Sequence, residues 1–268
     1  MKEYKLLWEE KFLPTADNSP NPNTWSFDLA DGTAQGIPGW GNHEREYYVL
    51  EQASVGGGLT LTAVKANPDG APVAYYGTAE WLSSKIHTAG KVTFKYGRFD
   101  FEAQAPTGGG SWPAIWMLGA NIAEVQWPHC GEIDIFEGAG NRPYEIRGTL
   151  HGPEYCGNDG ITGAIQMPQE LSRGFHTYSI EWLPDSITWY VDNVEYFAIH
   201  RSQVENVGKV WPFDQEFYLI INLAMGGWFA GDVVNGFDSC NFTVASIAYS
   251  SIDGVGELHS YNPSKVRK

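Results

Sequence analysis

Residues 131–138 read Gly-Glu-Ile-Asp-Ile-Phe-Glu-Gly, so Glu132, Asp134 and Glu137 fall within six positions of an apolar, strand-like run. Strands disfavour buried charge, and acids interleaved with Ile and Phe need a reason beyond packing. Side chains alternate across a strand, which puts Glu132 and Asp134 on one face and Ile133 and Ile135 on the other. Continued alternation would send Glu137 across the sheet. One extra residue, a β-bulge at Ile135-Phe136, returns Glu137 to the face of the other two acids. A row of carboxyl groups on one face suits glycosidic bond cleavage, in which one acid attacks and another protonates. Trp112, Trp116 and Trp127 precede the acids and His151 follows them. Indole faces stack on the apolar faces of pyranose rings, so these flanks argue against a merely solvated acidic edge strand.

The elements that must hold this row are strands. Gly58–Lys65 alternates Leu59, Leu61 and Ala63 against Thr60, Thr62 and Val64. Strands are also predicted over Val92–Gln104, Trp112–Leu118, Glu132–Glu137, Ile146–His151, His176–Trp182, Ile187–Val191, Val194–Ile199 and Val244–Tyr249. Phe217–Ala224 is continuously apolar, as a central strand covered on both faces should be. Asp192-Asn193 between two runs is a two-residue hairpin signal. Arg201–Val207 reads as a short turn of helix. Trp182 and Trp189 alternate with polar neighbours and read as core. Loops are expected at 13–40, 119–131, 152–172 and 226–242. With neither repeat nor linker, the pattern predicts one all-β domain over residues 1–268, an antiparallel sandwich.

Composition narrows the partners. The 268 residues suffice for a large core, and 14% are aromatic, including 11 Trp. A net charge of −15 argues against nucleic acid and anionic membrane, which need basic patches, but is indifferent to a neutral polymer. There is no run of 18 apolar residues for a membrane helix. Cys130, Cys156 and Cys240 permit one disulfide at most; buried thiols or a Cys130–Cys156 bridge are the expected states. A zinc set of His129, Cys130, His151 and Cys156 lacks the usual spacings. No metal is expected at the acids.

At Glu132-Ile-Asp-Ile-Phe-Glu137 the chain resembles glycoside hydrolase family 16, the laminarinase-like endo-glucanases. The resemblance extends to Gly39-Trp-Gly-Asn-His-Glu44, Tyr96-Gly-Arg-Phe99, Ser111-Trp-Pro-Ala-Ile-Trp-Met-Leu-Gly119 and Trp127-Pro-His-Cys-Gly-Glu132. It continues through Gly148-Thr-Leu-His-Gly152, Phe175-His-Thr-Tyr-Ser-Ile-Glu-Trp182 and Phe217-Tyr-Leu-Ile-Ile-Asn-Leu-Ala-Met-Gly-Gly227. It implies a concanavalin A-like β-jelly-roll of two curved sheets with a concave substrate cleft. It further implies retaining endo-hydrolysis of β-1,3-glucan, with Glu132 as nucleophile, Glu137 as acid/base and Asp134 as the assisting carboxylate. Asn42, Trp112, Trp116, His151 and Trp228 match cleft positions that bind substrate. The alternatives are the same chemistry on mixed-linkage glucan or a galactan, and a glucan-binding lectin. Because polymeric glucans lie outside cells, an extracellular, mature monomer is expected, although the opening residues carry no signal-peptide h-region.

Crowded acids cannot all ionise, so Glu137 is expected to be the protonated member, with Asp134 hydrogen-bonded near Glu132. Three departures from the family pattern bear on the rest. Lys11 and Ala245 stand where many relatives place acids for a structural calcium, so that ion is expected to be lost, with Lys11 supplying part of its charge. Glu102 replaces a common Arg on a strand expected to border the cleft. The Gly226-Gly-Trp228 run is one residue short.

Overall fold

Alternation decides how each strand buries itself. The computed structural model describes residues 2–261. In Leu59–Lys65 the side chains of Leu59, Leu61 and Ala63 are fully buried, whereas Thr60, Thr62 and Val64 are half-exposed. Phe217–Met225 is buried along nearly its whole length, as its unbroken apolar run predicts. Among the described residues such strands form a nine-stranded and a ten-stranded sheet, whose apolar faces meet in one core. Pairing is antiparallel throughout, except between Glu46–Tyr48 and Trp81–Ser83. This is the predicted all-β sandwich, and the Asp192-Asn193 hairpin joins Ser186–Val191 to Val194–His200 with both turn residues left-handed.

The nine-stranded sheet carries the acids. Its central order is Ile161–Gln166, Arg142–His151, Glu132–Ala139, Ser111–Gly119 and Phe217–Met225, with Lys85–His87 also paired to the last of these. Two expectations change. Val92–Gln104 is not one strand: Tyr96 and Gly97 both take positive φ, 60° and 90°, so Val92–Lys95 stays in this sheet and Gly97–Gln104 joins the other. The predicted loop 152–172 contains the edge strand Ile161–Gln166, which buries no residue and so leaves only a faint apolar pattern. Single-turn helices at Ile122–Val125 and Gly227–Ala230 are too short to show periodicity. The last long strand runs over Ser239–Ile252, well beyond the predicted 244–249, because it pairs with three neighbours.

The two sheets are locked together beneath the acids. Gly148 and Gly163 are cross-strand partners, and a Cβ on either would collide with the Trp189 or the Phe197 ring of the opposite sheet. The absent side chains open a slot for Trp189 and Phe197, which pack with centroids 4.9 Å apart. Through it the Trp189 indole N–H donates to the backbone carbonyl of Asp134 at 2.8 Å. Gly148→Ala should therefore overpack a rigid, fully buried indole, at a cost of about 1–3 kcal/mol. A thermal melt is expected to show Tm lowered by roughly 3–10 °C; an unchanged Tm would contradict the slot.

Candidate active site

The strand Glu132–Ala139 departs from simple alternation at one place. Asp134 pairs with Thr149 and Glu137 with Arg147, so three steps on one strand match two on its neighbour. On the other side Trp116 pairs with Asp134 and Ile115 with Phe136, again skipping one residue. Ile133, Ile135 and Phe136 are all at most 1% exposed, so two consecutive side chains enter the core. That is the expected bulge. Its consequence is that Glu132, Asp134 and Glu137 all face the open side of the sheet.

Around them the cross-strand neighbours close in. Register sets His151 opposite Glu132 and Trp116 opposite Asp134. The His151 Nε2 lies 3.3 Å from Asp134 Oδ2 and 3.7 Å from Glu132 Oε1. The Trp112 indole donates to Glu137 at 3.1 Å, and the Thr149 hydroxyl donates to its other oxygen at 3.4 Å. Trp127, one of the aromatic flanks of the acidic run, donates from its indole to Glu132 Oε2 at 2.7 Å. Asp134 thus lies beside Glu132 against His151, whose Nε2 approaches both carboxyl groups.

Charge is distributed unevenly over this cluster. Burial, then the charges of Glu132 and Glu137, push Asp134 well above the usual carboxylate range, against the opposing pull of His151. Burial also pushes Glu137 up to about 7, with Glu132 adding to it; His151, the Trp112 hydrogen bond and Arg147 pull the other way. For His151 burial works against the charged form, yet the contact its Nε2 makes with the accepting Asp134 carboxyl and the charges of the three carboxyl groups raise it to about 9. An imidazolium among carboxyl groups is thus the local cation. Glu132, Asp134 and His151 offer donor atoms within 4.8 Å of one another, the one such cluster among the described residues. The zinc set drawn on His129, Cys130 and Cys156 does not gather, and all three cysteines are free thiols.

The binding positions divide into two groups. Trp112 and Trp116 both sit on the acid face; Trp112 packs on Phe229 with centroids 4.9 Å apart. A hydrogen-bond chain runs from the Trp116 indole to Asn222 (2.7 Å), from the Asn222 amide to Tyr48 (3.1 Å), and from Tyr48 to Glu44 (3.4 Å). Asn42 donates its amide to the same Glu44 at 2.9 Å, and its carbonyl accepts the Trp228 backbone N–H at 3.0 Å. Asn42 therefore ties the loop that presents Trp228, which is 70% exposed beside His43. Lys85, its Nζ 4.1 Å from the Trp40 ring and 5.1 Å from that of Trp116, completes this side. Glu102 does not border the site. It lies on Gly97–Gln104 in the ten-stranded sheet, exposed and accepting from Ser246.

The sequence profile of Glycosyl hydrolases family 16 matches residues 44–244. A beta-glucanase of Rhodothermus marinus is 37% identical over 238 residues, covering 85% of this chain and 78% of that protein. A glucan endo-1,3-beta-glucosidase of Cryptopygus antarcticus is 35% identical over 244 residues, covering 84% and 82%. The laminarinase catalytic domain from Thermotoga maritima superposes with a TM-score of 0.87 at 39% identity, covering 93% of this chain and 98% of that one.

The Glu137 carboxyl should titrate near pH 7 in a 13C experiment on the free protein. Its hydrogen bond from Trp112 favours the charged form, so Trp112→Phe should move that midpoint upward; a midpoint in the ordinary carboxylate range would contradict the burial argument.

Proposed function

The chain belongs to glycosyl hydrolase family 16, and on that premise we propose that it hydrolyses internal β-1,3-glucosidic bonds of laminarin-type glucan with retained configuration. The observation that carries the reading is the bulge that sets Glu137 on the face of Glu132. Retention asks for carboxyl groups roughly 5–5.5 Å apart, one attacking and one protonating. Glu132 attacks the anomeric carbon and forms a glycosyl ester, while Glu137 gives its proton to the departing oxygen. The His151 imidazolium and the Trp127 indole hold the Glu132 carboxylate in place and receive its charge again when the ester is cleaved. Asp134 anchors His151.

The same charges time the second step. The Glu132 charge is one of the causes that raise Glu137. Once Glu132 is esterified that push is gone, Glu137 becomes a stronger acid, and as a carboxylate it takes a proton from the attacking water. Activity needs Glu137 protonated in the free enzyme, so it declines as pH rises through about 7. Trp112 and Trp116 supply faces for pyranose stacking, and Trp228 extends the platform along the loop that Asn42 anchors. A neutral polymer is not repelled by a chain of net charge −15. The reading takes residues 1–268 as one catalytic domain, acting as a monomer outside the cell, where polymeric glucan lies.

The family's calcium does not suit the residues present. Lys11 pairs with Glu9 at 3.0 Å, and Glu10 accepts from the Phe12 N–H and the Trp25 indole at 2.8 and 3.1 Å. Ala245 brings no carboxylate, and an ammonium repels a cation. Added calcium should therefore leave Tm unchanged, and a rise of several degrees would contradict this.

Incubation with laminarin and assay of reducing ends tests the function itself. Wild type should release a ladder of oligosaccharides, and Glu132→Ser should lose at least a thousandfold in rate. A variant with wild-type turnover would remove Glu132 from the mechanism; a silent wild type on laminarin, mixed-linkage glucan and galactans would favour a lectin.

A further inference from the structure

Beyond Glu137 the open face continues onto Arg142–His151, where His151 already has its part but Arg147 serves no step described above. Arg147 is the cross-strand partner of Glu137, on the side of the acid strand away from Trp112 and Trp116. His151, Thr149 and Arg147 alternate along that strand, so all three face the acids, while Leu150 and Ile146 are fully buried beneath. Glu145 holds the arginine by one edge only. Its Oε1 accepts Arg147 Nε at 2.7 Å and Arg142 Nε at 3.0 Å, and its Oε2 accepts the Gln166 amide at 3.0 Å. The Arg147 guanidinium carbon lies 5.5 Å from the Phe229 ring. Arg142 stacks on that ring at 4.5 Å and donates to the Phe229 carbonyl at 3.1 Å. The two terminal nitrogens of Arg147 donate no hydrogen bond among the described residues; its one such bond is made by Nε.

A guanidinium clamped by its Nε presents its outer donors in a fixed direction, here to the face where a sugar would lie. The two sugars that flank the scissile bond need different things. The donor sugar stays on the enzyme through both steps and gains from broad stacking, which Trp112 and Trp116 provide. The leaving sugar must depart before water enters, and is better held by a few polar contacts. We propose that Arg147 is a specificity-determining residue that binds hydroxyl groups of the leaving-side sugar, with Glu145 and Phe229 holding it in position. The assignment rests on the glucanase reading above. Independently of that contact, the Arg147 charge favours the ionised form of Glu137.

The test compares two substrates in Arg147→Met, which keeps the long stem but loses the donors, and in Arg147→Lys. One substrate is laminarin; the other is 4-nitrophenyl β-laminaribioside, whose leaving group carries no sugar hydroxyl. The ratio of kcat/KM for laminarin to that for the aryl glycoside should fall roughly ten- to a hundredfold in Arg147→Met, as expected for one lost hydrogen bond to a charged donor. Arg147→Lys should recover part of it. The alkaline limb on laminarin should also move to higher pH in Arg147→Met, since a charge that favours ionised Glu137 is gone. An unchanged ratio, or an equal fall on both substrates, overturns the assignment. Failure of the glucanase reading looks different: wild type would then turn over neither substrate, and the assignment would fall with it.

Discussion

One surplus residue in the strand Glu132–Ala139 decides which way Glu137 points, and the facing sheet is built to keep it there. A bulge interrupts the ladder and leaves backbone groups to be satisfied elsewhere. Here the Trp189 indole reaches across the sandwich to the Asp134 carbonyl. Ile135 and Phe136 both turn inward and are buried, with Phe136 against Tyr178 at 4.0 Å between centroids. Slipping the register would expose these two and bury a carboxylate, so packing and polarity favour the same arrangement. The paired glycines 148 and 163 belong to this device as much as the acids do, because they admit the indole.

Electrostatics then assigns the work. Two unit charges 4 Å apart near a protein surface interact by about 4 kcal/mol, and one pKa unit is about 1.4 kcal/mol, so a few contacts outweigh burial or yield to it. For His151 the contacts win, and it carries charge. For Glu137 burial wins over His151, Trp112 and Arg147, and the proton stays until about pH 7. Asp134 is also pushed well above the usual carboxylate range, by the same burial and by two acidic neighbours.

Much of this was legible because the acids break a rule that strands otherwise follow. Three carboxylates among Ile and Phe demanded a face, and only a bulge gave them a common one. Trp182 and Trp189 were readable as core from alternation, and both are fully buried. What stayed hidden depends on register and on turns. Arg147 is 10 residues from Glu137 in sequence, and only the pairing across strands makes them neighbours. Trp127 reaches Glu132 through the turn at residues 126–131, which has no periodic signal. Tyr96-Gly97 reads as a continued strand, yet two positive φ angles send the chain to the other sheet and carry Glu102 away from the acids.

The anomer first released from β-glucan tests the central claim most directly, because it reports how far apart the two working carboxyl groups stand. Proton NMR during early turnover should show the β-anomer appearing first, with the α-anomer growing only by mutarotation. Initial release of the α-anomer would mean inversion by widely spaced acids, and the bulge would then not serve the purpose argued for it.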